Sequence, residues 1–210
     1  MKKQGNTSES GPQQARERIL HAAMATFVEL GYTEASTLKI ATRAQVSKRE
    51  LYALFGSKQA MLTACIADRA GRMQLAAQLP QPNHREELAN VLAKLGATIL
   101  REVSHPTVIA VFRLAITEAQ RAPEVAATLD SARQATRSAV RDILAQAQSS
   151  RLIAADNLDD LSARYLALLW GDLMMSMLLC MREAPSTREI EHKAKQAAED
   201  FMKLCTEPRR

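Results

Sequence analysis

Glycine, proline and aromatic residues are scarce in this sequence of 210 residues. It contains seven glycines, seven prolines and only 4% aromatic residues, which disfavours an architecture of strands and tight turns. Alanine, leucine, arginine and glutamate recur throughout, and these residues favour helices. With 47% hydrophobic and 24% charged residues, the composition argues against general disorder, a collagen-like repeat and a membrane protein. The sequence therefore predicts an all-α protein with a buried core.

Cysteines and long apolar runs are also few. The three cysteines, Cys65, Cys180 and Cys205, are far apart and odd in number, which indicates neither a disulfide framework nor a metal site. We expect a reducing cytosol and no cofactor. The longest apolar run, Tyr165 to Met181, is interrupted by polar residues and is shorter than the ~20 residues that span a bilayer. No apolar stretch follows the opening lysines, so no signal peptide is expected and we predict a cytoplasmic protein.

The net charge of +5 is concentrated near the N-terminus. Residues 1–60 contain nine Lys and Arg against five Asp and Glu, whereas the rest contains nineteen against eighteen. This asymmetry indicates an anionic partner and favours nucleic acid over acidic lipid. A membrane-surface role is disfavoured because the apolar residues of this segment are already needed for a helical core. The alternative is a basic tail without a partner, since Lys2 and Lys3 supply two of the charges.

The first helix is predicted to follow a short polar tail. Residues 1–11 are rich in Gly, Ser, Asn and Gln and are expected to be disordered. Structure is predicted to begin near Pro12 and to continue to Gly31, which is typical of a helix C-terminus. The apolar residues between them have helical spacing: Ile19, Ala23, Phe27 and Leu30.

Two short helices are predicted next, with the layout of a helix-turn-helix. Either Ser36 or Thr37 caps the first helix, and Ser47, with Glu50 three residues later, opens the second. Gly56-Ser57 ends the second helix and caps a fourth, longer one. Because this arrangement lies in the basic quarter of the chain, we expect the second short helix to enter the major groove of DNA.

Six residues are predicted to contact DNA. Lys48 and Arg49, at the start of the second short helix, can reach base edges or phosphates, and Tyr52 can donate to a phosphate one turn later. Lys58 lies in the first turn of a helix, where a cation is unfavourable unless a phosphate is bound there. Ser36 and Thr37 are placed to face the DNA backbone. Each residue alone also fits capping or a solvated basic face, but together they favour DNA.

The stretch from Arg16 to Leu62 contains a distinctive set of residues: Ile19, Ala23, Phe27, Gly31-Tyr32, Ile40-Ala41, Val46-Ser47, Leu51-Tyr52, Phe55, Ser57-Lys58 and Leu62. With these residues, the stretch resembles the DNA-binding domain of the TetR family of bacterial transcriptional regulators. The resemblance implies phosphate contacts from Ser36, Thr37, Tyr52 and Lys58, with Lys48 and Arg49 reading bases. Gln45 replaces the family's usual turn glycine, and Leu54 replaces a histidine that often reaches the DNA backbone.

The remaining sequence predicts longer helices. Asn83, with Glu86 at the capping-box distance, is expected to open one helix, and the nearly all-apolar segment from Thr107 to Ile116 is expected at the centre of a bundle. Further helices are predicted over about 123–152, 157–182 and 186–205. The predicted organisation is a tail (1–11), a helix-turn-helix domain (12–57) and a helical effector-binding and dimerisation domain (58–206).

The last helix carries a narrow apolar seam that predicts self-association. Its charged residues occupy the remaining surface, and the seam together with the helix from Tyr165 to Met181 is expected to form half of a four-helix dimer interface. The alternative is that both helices pack within one chain. The seam residues have alternating spacings of four and three: Ile190, Ala194, Ala197, Phe201 and Leu204.

The region after residue 62 resembles the family's ligand-binding domain more weakly, mainly over residues 105–129. The resemblance implies an effector pocket, although each wall residue could equally be plain core. Arg113 and Asp172 are charges within apolar helices and are expected to pair, with an anionic ligand for Arg113 as the alternative. The candidate wall residues are Met73, Leu95, Phe112, Ile116, Leu166, Trp170 and Met174.

These features predict a non-enzymatic function. The first hypothesis is a homodimeric repressor that leaves a palindromic operator when a small hydrophobic or amphipathic effector binds. The alternative is an architectural or division-linked DNA-binding protein without an effector. A di-iron enzyme is disfavoured, because Glu189 and His192 form a single Glu-x-x-His pair and no second pair is present.

Overall fold

A computed structural model of the chain describes residues 10–73, 81–154 and 156–205, with side chains placed for 11–68 and from 81 onward. These residues form helices and no strands, which confirms the all-α prediction. The predicted tail at 1–9 lies outside the described residues. The helices are α1 (Ser10–Leu30), α2 (Thr37–Ala44), α3 (Lys48–Phe55), α4 (Lys58–Met73), α5 (Arg85–Val103), α6 (Pro106–Glu118), α7 (Pro123–Ser149), α8 (Leu158–Trp170), α9 (Leu173–Leu178) and α10 (Thr187–Leu204).

The described residues divide into two compact units. The first unit extends to Asp68 and also includes residues 110–129, whereas the second contains residues 69–109 and the chain from 130 onward. The first unit thus extends past the predicted boundary at residue 57, because Met61 and Leu62 of α4 are fully buried. The helix α1 begins at Ser10, so Ser10 and Gly11, predicted as tail, are helical.

Polar contacts fix α1 against α2 and α3 in the first unit. Arg18 donates through Nε to the carbonyl of Ala44, at the end of α2, over 3.3 Å. Arg43 donates to both carboxylate oxygens of Glu29 at 2.6 and 2.8 Å. The core beneath these contacts contains Ile19, Ala23, Phe27, Ile40, Ala41, Ala44 and Leu51, each at most 3% exposed. The apolar spacing therefore identified the packed face of α1 at Ile19, Ala23 and Phe27, whereas Leu30, the last residue of that spacing, is 42% exposed.

In the second unit, α10 packs against α5 and α8. The phenol of Tyr165 is fully buried and donates a 2.6 Å hydrogen bond to the carbonyl of Leu92. The ring of Tyr165 also meets Phe201 edge-on, with 5.5 Å between centroids. At one end of the unit, Arg85 donates to the carbonyls of Leu152, Met202 and Cys205 at 2.9–3.0 Å. These interactions close the bundle around α5.

Two predicted helix boundaries are wrong, and one predicted helix is broken. The cap of α5 is His84, whose ring accepts from the Glu87 N–H, and not Asn83. The helix α7 ends at Ser149, earlier than the predicted Leu152. The helix predicted over 157–182 is broken in two, because Gly171 has a φ of 47° that cannot continue an α-helix.

The predicted dimerisation seam is largely core. Ile190, Ala194, Ala197 and Phe201 are at most 5% exposed and belong to the apolar cluster of the second unit. A 4-3 apolar spacing requires a helical partner, and α5 and α8 of the same chain supply it. Leu204 is 59% exposed and is the seam's exposed member. The alternative of packing within one chain is therefore correct for the four buried residues.

No helix in the described residues is long and apolar enough to cross a membrane.

Candidate DNA-binding site

The turn between α2 and α3 forms without glycine. Ser36, not Thr37, caps α2 by accepting from the Lys39 N–H at 3.2 Å, and Ser47 caps α3 by accepting from the Glu50 N–H at 3.0 Å. Between the helices, Gln45 takes φ 55° and ψ 45°, the left-handed conformation that glycine adopts more easily. The turn therefore keeps its left-handed residue although Gln45 stands where the family usually has glycine.

The helix α3 is anchored on one side and open on the other. Leu51 is fully buried, whereas Lys48 and Arg49 are exposed and Tyr52 is 42% exposed. The Tyr52 hydroxyl lies 3.3 Å from the Thr37 hydroxyl of α2, and the Lys48 ammonium lies 5.8 Å from the Tyr52 ring centre. We call the residues Thr37, Lys48, Arg49 and Tyr52 the reading surface. It presents two cations and two hydroxyls, which suit base edges and phosphates.

Lys58 is engaged within the chain. Its ammonium donates to the carbonyls of Tyr32 at 2.9 Å and Thr33 at 3.4 Å, and it lies 4.4 Å from the Tyr32 ring centre. These contacts satisfy the charge that the sequence assigned to a DNA phosphate. A phosphate contact from Lys58 therefore requires these hydrogen bonds to exchange, and it stays a prediction.

Sequence reasoning missed the residues that hold the turn before α2. Glu118, at the end of α6, accepts from the Thr33 hydroxyl at 2.6 Å and from the Thr33 N–H at 3.5 Å. These hydrogen bonds hold the pKa of the Glu118 carboxyl below its usual range. No local pattern could have found the pair, because the two residues are 85 positions apart.

The candidate effector residues separate into two groups. Leu95 and Leu166 are buried in the apolar cluster of the second unit, and Trp170 and Met174 are partly buried against it. Phe112 and Arg113 are half-buried on the part of α6 that belongs to the first unit. The inward position predicted for Ile116 is wrong, since this residue is 63% exposed. The Met73 side chain lies outside the described residues.

Asp172 is not the buried charge that the sequence suggested. It is exposed in the break between α8 and α9, where its carboxylate accepts from the Ser176 hydroxyl at 2.6 Å. The break at Gly171 removes Asp172 from the middle of an apolar helix, so Asp172 no longer needs Arg113 as a partner for a buried charge.

A shallow cavity of about 400 Å³ lies at the start of α10 and contains none of the predicted wall residues. Arg182 at its edge pairs with Glu189 at 2.6 Å. Glu189 also accepts from the N–H and hydroxyl of Ser186, which completes the capping box of α10. The Glu189 carboxylate is thus committed to the helix end. Among the described residues, no group of three or more His, Cys, Asp or Glu could hold a metal ion.

Two family models cover most of the chain. Residues 19–65 match the model described as bacterial regulatory proteins, tetR family, and residues 90–207 match the C-terminal domain of AefR-like transcriptional repressors. No functionally curated protein matches the sequence significantly.

Solved structures show the same fold. A TetR-family regulator from Mesorhizobium loti is 18% identical, with a TM-score of 0.75 over 94% of this chain and 99% of that one. A TetR regulator from Agrobacterium tumefaciens is 25% identical, with a TM-score of 0.74 over 94% and 96%. The flavonoid-responsive regulator FrrA is 26% identical, with a TM-score of 0.75 over 94% and 100%. The chain belongs to the TetR family of bacterial transcriptional regulators, and it is a DNA-binding regulator and not an enzyme.

Proposed function

We propose that this protein is a homodimeric repressor that leaves a palindromic operator when a small hydrophobic or amphipathic effector binds. The observation that carries the proposal is the reading surface, in which exposed Lys48, Arg49 and Tyr52 project from α3 while Leu51 anchors it. The repressor role is supported by the AefR-like description of the matching C-terminal domain. Because its target is the bacterial chromosome, the protein works in the cytoplasm.

On DNA, α3 lies in the major groove. Lys48 and Arg49 contact base edges, and an arginine in this position can bind guanine through two hydrogen bonds. Tyr52, Ser36 and Thr37 contact phosphates and set the orientation of α3 without reading sequence. Two copies of this head meet successive major grooves, about 34–36 Å apart, so the operator is palindromic.

The homodimer forms through the exposed face of α8 and α9, in place of the seam on α10. This face carries exposed apolar and small residues from α8, from the break at Gly171, and from α9 and its C-cap: Ala163, Ala167, Gly171, Met175 and Leu179. Met175 and Leu179 are 56% and 60% exposed, an arrangement that a second copy would cover.

The effector binds within the apolar cluster of the second unit. Leu95, Leu166, Trp170 and Met174 all contribute to this cluster, and adaptable apolar side chains are common in ligand pockets. FrrA, a structural relative, is named for its response to flavonoids, so planar aromatic compounds are the first probes. Binding stabilises the dimer form in which the two heads are too far apart for adjacent grooves, with coupling of about 1–3 kcal/mol.

Trp170 provides a direct test of the effector site, because it is the protein's single tryptophan. Flavonoids that bind in the cluster are expected to quench or shift Trp170 fluorescence, to raise the melting temperature and to weaken operator binding. A Leu95→Phe variant narrows the cluster without adding a second tryptophan and should reduce all three effects. Ligands that raise the melting temperature without changing Trp170 fluorescence would place the site elsewhere.

Selection from random duplex DNA tests the reading surface. The wild type should enrich a palindrome, and Arg49→Ala or Lys48→Ala should relax base preference by about 1–3 kcal/mol at one position. Tyr52→Phe should weaken binding to all duplexes by the same factor. Lys203→Ala on α10 is the matched control, because it removes one exposed cation far along the chain. An equal loss of base preference in Arg49→Ala and Lys203→Ala would contradict base reading by α3.

An architectural role without an effector is the second candidate. It is favoured by the burial of Leu95 and Leu166, which are 1% and 8% exposed and pack as ordinary core. The fluorescence and operator experiments above separate the two functions, since an architectural protein binds DNA equally with and without small molecules.

A further inference from the structure

The turn between α1 and α2 is held by side chains from two other helices. This turn runs from Gly31 to Ala35 and leads directly to Ser36, the cap of α2. Gly31 has a φ of 80°, and its N–H bonds to the Phe27 carbonyl, so the turn begins where α1 ends. Its position therefore sets where α2 starts and where Thr37 points.

Glu118 binds the turn from one side. Its carboxylate accepts from the hydroxyl and the N–H of Thr33, and a Cβ on Gly31 would lie 2.9 Å from its Oε1 atom. The Glu118 backbone is fixed as well, because its carbonyl accepts from the N–H groups of Arg121 and Ala122 at 2.9 and 2.7 Å. Glu118 is 9% exposed. The carboxylate is thus held in place and has little freedom to contact another group.

Lys58 binds the same turn from the start of α4. Its ammonium donates to the carbonyls of Tyr32 and Thr33, so Thr33 is held through its hydroxyl, its N–H and its carbonyl. The Lys58 charge also favours the ionised form of Glu118, which adds to the effect of the Thr33 hydrogen bonds on the Glu118 pKa. Burial and the nearby Glu124 carboxylate of α7 raise the pKa of Tyr32.

We infer that Glu118 is a positioning residue for DNA reading, which fixes the α1–α2 turn and through it the orientation of α2 and the reading surface. Glu118 lies in the segment that matches the family's C-terminal domain, whereas Thr33 lies in the segment that matches the DNA-binding domain. The Glu118–Thr33 pair therefore joins the end of α6 to the turn that precedes the reading surface. This role rests on the proposed function, because it concerns specific DNA recognition.

The test is the ratio of specific to non-specific DNA affinity. One probe is the duplex selected by the wild type, and the other is a duplex of equal length and scrambled sequence. Glu118→Ala and Thr33→Val should each lower the ratio roughly tenfold, since a misplaced head loses base contacts but keeps its charge. The double variant should lower the affinity ratio no further than either single variant does, because both substitutions remove the same contact. The affinity ratio of Glu118→Gln should lie between those of Glu118→Ala and the wild type, because the glutamine amide oxygen still accepts from the Thr33 hydroxyl.

Glu34→Gln is the matched control. Glu34 is exposed in the same turn, so this variant removes one negative charge without removing a contact to Thr33. It should strengthen both affinities by the same factor and leave their ratio unchanged. A ratio in Glu118→Ala within about twofold of the wild type would overturn the inference, as would an equal change of the ratio in Glu34→Gln.

Amide hydrogen exchange separates failure of this inference from failure of the proposed function. In the free protein, exchange over Gly31–Ala44 should rise at least about fivefold in Glu118→Ala but not in Glu34→Gln. If the wild type selects no sequence, the proposed function is wrong, and the exchange result still decides whether Glu118 holds the turn. Unchanged exchange in Glu118→Ala would show that it does not.

Discussion

Gln45 shows how a single backbone conformation determines the geometry of the DNA-binding helices. Its left-handed φ of 55° allows the backbone N–H groups of the turn to bond back to the end of α2, where Gln45 donates to the Thr42 carbonyl and Val46 to the Ala41 carbonyl. For a residue with a Cβ, this conformation costs about 1–2 kcal/mol of stability. The turn is therefore held by the packing of Ala44 and Leu51 on both sides, which are 3% and 0% exposed.

Gln45→Gly should stabilise the protein by about 1 kcal/mol, because glycine adopts the left-handed conformation without the Cβ clash. Urea unfolding measures this change. Gly56→Ala is the opposite control, since Gly56 has a φ of 73° with no atom within 4 Å of the added Cβ. It should destabilise the protein through the backbone alone. Destabilisation by Gln45→Gly would mean that the glutamine side chain makes a stabilising contact that outweighs the conformational cost.

Lys58 can serve either DNA or the α1–α2 turn, and the salt dependence of binding distinguishes the two. We expect Lys58→Met to reduce the slope of log K against log salt by about 1.8, because each of the two copies in the dimer loses one phosphate contact and each contact contributes about 0.9. This outcome requires the ammonium to leave the Tyr32 and Thr33 carbonyls when DNA binds. An unchanged slope, together with a lower melting temperature, would restrict Lys58 to its contacts with the turn. Lys203→Met provides the comparison for loss of an exposed lysine.

Among the helices, the sequence predicted the features that depend on residues close together in the chain, such as caps. The caps of α3 and α4 could be predicted because Ser47 and Ser57 accept from N–H groups only three residues later. The role of the apolar seam on α10 could not be predicted. The same spacing of apolar residues suits packing against a helix of the same chain or against a helix of a second copy. The partner is α5, about a hundred residues earlier, and its packing depends on Gly96 and Tyr165 together.

The close approach of α5, α8 and α10 depends on the missing side chain of Gly96. A Cβ on Gly96 would lie 2.5 Å from the Tyr165 hydroxyl, 3.0 Å from Leu169 Cδ1 and 3.4 Å from Ala194 Cβ. Gly96→Ala should therefore destabilise the protein by about 1–3 kcal/mol, as overpacking of a core does. Thermal or urea unfolding measures the loss.

Tyr165→Phe tests the cause of this loss. Alone, it removes the 2.6 Å hydrogen bond to the Leu92 carbonyl and should cost about 1 kcal/mol. Combined with Gly96→Ala, it also removes the oxygen nearest to the new methyl group. The double variant should therefore be more stable than the sum of the single changes predicts. Strict additivity would mean that the Leu169 and Ala194 side chains, and not the hydroxyl, limit the approach of the helices.

For the whole molecule, the sequence predicted the DNA-binding part in more detail than the rest. Residues 19–65 have short elements whose caps, turn and buried faces follow from nearby residues. In the second unit, the residues that pack together are far apart along the chain, and a large apolar residue fits core, pocket and interface equally. Exposure in the folded chain separates these roles: Phe201 is fully buried, whereas Met175 and Leu179 are 56% and 60% exposed.

This difference in exposure leads to a prediction about the dimer. Leu179→Glu should yield a folded monomer, because a carboxylate cannot be buried without a partner at an apolar interface between two copies. Phe201→Glu should instead unfold the chain, since it places the charge inside the core of one copy. Sedimentation measures the mass of each variant and circular dichroism its helix content.

Leu38→Glu is the matched control for dimerisation, because Leu38 is 62% exposed, close to the value for Leu179, but lies on α2. It should remain dimeric at concentrations where Leu179→Glu is monomeric. The folded Leu179→Glu monomer should also bind one half-site with the weak affinity of a single head and lose the preference for a palindrome. A dimeric Leu179→Glu variant would mean that another surface joins the two copies, and the exposed side chains of Met175 and Leu179 would then require a different partner.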